Sequence, residues 1–83
     1  MTAPAAPRTA VRVYSPSGAP CYKCRQTKTL LDRLGIEYVE LDIDDPEAQN
    51  LISEHGFQAA PVVDTGTEVW SDFRFDKIKG LAS

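Results

Sequence analysis

Pro20-Cys21-Tyr22-Lys23-Cys24 carries both of the chain's cysteines, with two residues between them, and a helical pattern starts directly behind. Ahead of it, Ala10-Val11-Arg12-Val13-Tyr14 alternates and is β-branched. That pattern predicts a strand with Val11 and Val13 on one face. Ser15-Pro16-Ser17-Gly18-Ala19-Pro20 is a loop by composition and delivers the chain to Cys21. From Tyr22 to Leu34, Thr27, Leu30, Leu31 and Leu34 recur at intervals of three and four, while Lys23, Lys28, Asp32 and Arg33 take the wet side. Gly35 suits the left-handed position that closes such a helix.

The spacing of the cysteines matches a chemistry. Residues three apart on a helix share a face, with Cβ atoms about 5–6 Å apart. A disulfide needs its Cα atoms about 4.4–6.8 Å apart, so this pair can close and open with little movement. Cys21 falls at the helix start, where unpaired N–H groups and the dipole favour an anion. Its pKa is therefore expected to be lowered, and the thiolate is the attacking form. Lys23 and Arg25 add positive charge. Cys24, one turn in, is expected to be more buried and to act second.

Two other uses of the pair compete. A structural bridge across so short a loop removes only about 2 kcal/mol of unfolded-state entropy, against about 3 kcal/mol for a fifteen-residue loop. A zinc site wants four ligands, and beyond the cysteines His55 is the only histidine. No metal site is expected. His55 itself falls in the last turn of a helix, where it complements the dipole more readily than it serves catalysis.

Eighty-three residues make one small domain, which buries only about 60–65% of its unfolded surface and needs an economical topology. A net charge of −3 argues against nucleic acid or an anionic membrane as partner, and no run is long enough to span a bilayer. Residues 1–9 are rich in Ala and Pro without a periodic apolar face, and read as a flexible tail before a domain at 10–83. They lack a signal peptide's apolar core, so a cytoplasmic location is expected. There a Cys-x-x-Cys is more often catalytic than structural.

The rest of the chain supplies the scaffold. Ile36–Ile43 predicts a second strand, with Val39, Leu41 and Ile43 on one side and Glu40 and Asp42 on the other. Asp45-Pro46-Glu47 is a helix start, with an Asp cap and Pro at the first position. Ala48, Leu51, Ile52 and His55 follow on one stripe, and Gly56 ends it. Pro61–Asp64 and Thr67–Trp70 read as an antiparallel hairpin around Thr65-Gly66. Ser71 is expected to cap a last helix whose Phe75, Ile78 and Leu81 face the sheet. The order β-α-β-α-β-β-α predicts an α/β fold: a four-stranded mixed sheet flanked by three helices, its first two strands parallel. The cysteine pair then lies beyond the carboxyl end of the first strand, where open α/β sheets place their sites.

This order, with Cys-x-x-Cys after the first strand, resembles the thioredoxin fold in its minimal glutaredoxin form over roughly residues 10–81. Ala59-Ala60-Pro61-Val62-Val63 resembles that family's cis-proline segment. Trp70-Ser71-x-Phe73-Arg74 resembles the Trp-Ser-Gly-Phe-Arg signature of the NrdH-redoxins, glutaredoxin-like proteins that behave as thioredoxins. The resemblance implies Cys21 as the attacking and Cys24 as the resolving cysteine. It implies a cis Pro61 beside the disulfide, and Ala60, Trp70, Ser71, Phe73 and Arg74 as a partner-docking surface. Tyr22 and Lys23 depart from the glutaredoxin Cys-Pro-Tyr-Cys motif, and their place between the cysteines makes them candidate supporting residues of the redox site. It further implies a cytoplasmic, monomeric dithiol–disulfide oxidoreductase that donates electrons to class Ib ribonucleotide reductase or another disulfide-containing protein. No bound cofactor is implied; thioredoxin reductase would recharge the pair with NADPH. Trp70-Ser71 replaces the glycines with which ordinary glutaredoxins help hold glutathione. Asp72 stands at the signature glycine and Phe75 at a following proline. The loop between Tyr14 and Cys21 is two residues longer than the family's Tyr-x-x-x-x-Cys. A glutathione-dependent glutaredoxin and a non-catalytic metal-binding carrier on the same fold are the alternatives.

Overall fold

The computed structural model describes residues 11–82. The expected tail at 1–9 lies outside the described residues. Strand β1 (Val11–Ser15) leads to helix α1 (Tyr22–Arg33) and strand β2 (Tyr38–Asp42). Helix α2 (Pro46–His55), strands β3 (Val62–Asp64) and β4 (Val69–Ser71), and helix α3 (Phe75–Leu81) complete the chain. The sheet is four-stranded in the order β2-β1-β3-β4. β1 and β2 are parallel, and the β1–β3 and β3–β4 pairs are antiparallel. This is the mixed sheet with three helices that the sequence predicts.

Period-two alternation assigns the side chains to two cores. Val11, Val13, Val63 and Trp70 meet Leu31 of α1 and Ile78 of α3 on one face. Tyr14, Val62 and the half-buried Leu41 and Val69 meet Ala48, Leu51 and Ile52 of α2 on the other. Each fully buried apolar side chain contributes about 1.5–3 kcal/mol relative to an exposed one. β1 is paired on both sides and covered on both faces, so four of its five residues are buried.

Local chemistry sets the helix ends. The amide of Gly35 (φ 72°) donates to Asp32 O at 3.1 Å and that of Ile36 to Leu31 O at 2.9 Å, the paired bonds that close α1. Asp45 caps α2 by accepting from the Glu47 amide at 3.0 Å, with Pro46 in the first position. Gly56 (φ 69°) ends it.

Four expectations are corrected. Ser71 does not cap the last helix: it ends β4, paired with Val62. The ladder to β3 outcompetes the Ser-Asp capping signal. Helix α3 begins only at Phe75, after Arg74 at the cap position, without a side-chain capping bond. Phe75 is 54% exposed, and Phe73 packs against the core in its place. Val39 lies on edge strand β2 opposite the exposed Arg12, beyond the cover of α2, and is 46% exposed. His55 leaves the apolar stripe for solvent and stacks on Phe57, ring centroids 5.0 Å apart.

Candidate active site

The register brings the relevant segments to one edge of the sheet. Ser15 pairs with Asp42, Tyr14 with Val62, and Val62 with Ser71. The loop to Cys21, the segment entering β3 at Pro61 and the turn leaving β4 at Asp72 all start from that edge.

Cys21 and Cys24 are joined by a disulfide, their Cα atoms 5.2 Å apart. Cys21 is the cap of α1, in extended conformation (φ −141°, ψ 101°). No Ser, Thr, Asn or Asp occupies the cap position; the Cys21 sulfur does the capping and accepts from the Cys24 amide at 3.2 Å. The first turn of α1 carries no acidic residue. A negative charge on that sulfur would therefore be met by a backbone donor and the positive end of the helix. Cys21 is partly exposed and Cys24 is 2% exposed. This asymmetry suits one sulfur to meeting a partner and the other to acting from within.

Behind the pair, the Thr27 hydroxyl, fully buried, donates to Lys23 O at 2.9 Å. The Ala60–Pro61 peptide bond is cis and Pro61 is buried. Pro61 O accepts from the Asp72 amide at 2.9 Å, tying the start of β3 to the turn after β4. Asp72 occupies that turn with φ 74°. Its carboxylate accepts from the Phe73 amide at 2.7 Å and pairs with the Lys23 ammonium at 2.9 Å. The hydrogen bond from Lys23, then that from Phe73, holds the Asp72 carboxyl below the ordinary carboxylate range. Spacing within the sequence does not reveal this contact; the only signal was an acid at the signature glycine.

A second polar link supports the end of β1. Glu40 accepts from the buried Ser15 hydroxyl at 2.9 Å and from Lys28 at 2.7 Å. Those two bonds, Lys28 first, hold its carboxyl below the usual range. Tyr14 is fully buried and turns its hydroxyl toward Glu47 of α2 at 3.4 Å, so it takes no part in the dithiol surface. Burial, then Glu47, raises its pKa.

The expected docking residues divide. Ala60, Ser71 and Phe73 are half-buried, and Arg74 is exposed and paired with Asp76 at 3.1 Å. Trp70 is corrected: at 3% exposure it belongs to the core, because alternation along β4 turns it inward opposite Val63. Tyr22, between the cysteines, is 71% exposed and helps line a largely apolar groove with Leu30, Phe73 and Phe75. Among the described residues no group of three or more His, Cys, Asp or Glu side chains is placed to hold a metal ion. No described helix is long and apolar enough to cross a membrane.

A redox-active Cys-x-x-Cys at the start of the first helix of a β-α-β-α-β-β-α sheet defines a thiol–disulfide oxidoreductase of the thioredoxin fold. The glutaredoxin family model matches residues 11–70. The glutaredoxin-like protein NrdH of Escherichia coli K12 is 36% identical over 62 residues, 74% of this chain and 76% of its own length. That of Lactococcus lactis subsp. cremoris is 36% identical over 73 residues, 87% of this chain and 99% of its own. Among solved structures, the E. coli NrdH-redoxin, which has a thioredoxin-like activity profile, aligns with TM-score 0.74 and 32% identity over 87% of this chain and 93% of that one. A glutaredoxin from Archaeoglobus fulgidus aligns with TM-score 0.63 and 26% identity over 88% and 85%. The chain belongs to the glutaredoxin family and, within it, to the glutaredoxin-like NrdH proteins.

Proposed function

We propose that the protein is a cytoplasmic, monomeric electron donor to class Ib ribonucleotide reductase, recharged by thioredoxin reductase at the expense of NADPH. The observation that carries the reading is the Cys21 sulfur at the tip of α1, receiving the Cys24 amide and bonded to the buried Cys24 sulfur.

In the forward direction the Cys21 thiolate attacks one sulfur of a partner disulfide. A Cys21–partner bond forms and the partner's other sulfur leaves as a thiolate. Cys24 then loses its proton and attacks the Cys21 sulfur. The Cys21–Cys24 bond forms and the second partner thiolate is released. Two electrons have passed from the dithiol to the partner. The reductase reverses the process on the oxidised pair with electrons from NADPH. No resident cofactor or metal is needed. Direction depends on relative reduction potential, about 30 mV per 1.4 kcal/mol for this two-electron couple.

The test is an NADPH-coupled assay with thioredoxin reductase and a class Ib ribonucleotide reductase, run beside the same assay driven by glutathione and glutathione reductase. Turnover through thioredoxin reductase is expected. Turnover through glutathione alone would instead assign a glutathione-dependent glutaredoxin. Cys24→Ser should accumulate a mixed disulfide with the client; undiminished turnover by that variant would refute the two-cysteine scheme.

A further inference from the structure

Lys23 is the cation that the Cys-x-x-Cys loop carries between its two sulfurs, and its ammonium does not stand free. It meets the Asp72 carboxylate at 2.9 Å across the edge of the site. Asp72 is held for this contact from several sides. Its amide donates to Pro61 O at 2.9 Å, its carboxylate accepts from Phe73 at 2.7 Å, and its backbone sits at φ 74°, where a side chain other than glycine's is uncommon. We propose that Asp72 is a positioning residue for the dithiol: by engaging Lys23 it cancels the charge beside Cys21 and so sets how readily that thiol ionises and attacks.

The surrounding charges leave this pair as the adjustable part. On α1 the other nearby cation is Arg25, beyond Cys24. Residues 58–61 before β3 and the loop 16–20 before Cys21 carry no charge. In the β4–α3 turn, Arg74 is engaged by Asp76 at 3.1 Å. Asp42, at the end of β2, accepts from the Asp44 amide at 2.9 Å. The helix terminus and the Cys24 amide favour the thiolate whatever Lys23 does. Lys23 and Asp72 add two opposite charges that balance while both are present. Removing one exposes the other, and a single uncompensated charge within about 10 Å in a partly solvated corner moves a thiol by roughly half a pH unit.

The inference rests on Cys21 being the attacking thiolate, and the experiment separates the two. Thiolate absorbance of the reduced full-length chain is followed against pH in a Cys24→Ser background, so that only Cys21 titrates. Asp72→Asn retains an oxygen for the Phe73 amide and tolerates the backbone angle; it should lower the Cys21 pKa by roughly half a pH unit and speed alkylation at neutral pH. Lys23→Met, at an exposed helix position, should raise it by a similar amount. The double variant should return close to the parent. High salt should shrink both single shifts, since the Debye length falls to about 3 Å at 1 M. A merely structural pair predicts shifts of the same sign or none, and either result overturns the inference. If Asp72→Asn misfolds, Lys23→Met alone decides by the direction of its shift. A parent Cys21 that titrates like a free thiol and fails to attack a disulfide sinks the functional reading itself; a lowered parent value with unmoved variants sinks only the role of Asp72.

Discussion

Reducing the Cys21–Cys24 bond tests whether the bridge serves redox chemistry or holds the fold. The cysteines are three positions apart and their Cα atoms are already at 5.2 Å, within the reach of one helical turn. Closing a four-residue loop removes only about 2 kcal/mol of unfolded-chain entropy. Cys24 is buried, but neither apolar cluster is built on the bridge. The oxidised protein should therefore exceed the reduced one by about 2 kcal/mol near pH 6, or about 8–16 °C in Tm for a domain of this size. This difference should depend on pH. If the helix start and the Cys24 amide favour the Cys21 thiolate, as the proposed function requires, the reduced fold gains stability that is fully present above the unfolded pKa of about 8.5 and lost as pH falls through the lower folded one. The gap should therefore narrow at pH 8.5. Urea denaturation of both forms at pH 6 and pH 8.5, followed by circular dichroism, measures it. A reduced chain that is unfolded, or weaker by more than about 4 kcal/mol, would refute the argument and make the bridge a structural staple.

Three further outcomes follow from the packing. Leu31→Ala, at a fully buried position between α1 and the sheet, should cost about 3 kcal/mol in denaturant titration, with disulfide reduction unimpaired at temperatures where the variant is folded. Gly35→Ala meets no atom within 4 Å, so only the backbone at φ 72° resists it; a loss of about 1 kcal/mol is expected, and none would mean the turn rebuilds itself. Glu40, held low by Lys28 and Ser15, contributes stability above its unfolded pKa of about 4.3 and loses it as pH falls through the lower folded value. Its side chain is half exposed, so Glu40→Gln should cost at most about 1 kcal/mol at pH 7, with the difference from the parent vanishing toward pH 3 in acid unfolding curves.

The features read correctly from sequence are those decided within a few residues. Val11 and Val13 alternate with Arg12 and Tyr14, and that parity places them on opposite sheet faces. Asp45-Pro46 and Gly35 work through their own backbone and neighbouring amides, so their roles are visible locally. Ser71-Asp72 misleads because the same residues suit a helix cap or a strand end, and pairing with Val62 decides. The cap of α1 is hidden for another reason: a cysteine sulfur takes the place of the usual oxygen. Trp70 sits in a segment that resembles a docking signature, yet its direction depends on the β3–β4 register. The contact between Lys23 and Asp72 joins two turns far apart in the chain, and only the completed sheet brings them together.

Trp70 is the single tryptophan, and its indole nitrogen is sealed in the interior with no hydrogen-bond acceptor among the described residues. Its emission therefore reports on wetting of the interior and stays indifferent to a protein settling on the surface. A blue-shifted spectrum that persists while a client binds, and moves red only in denaturant, would let one optical signal distinguish engagement from collapse without any added dye.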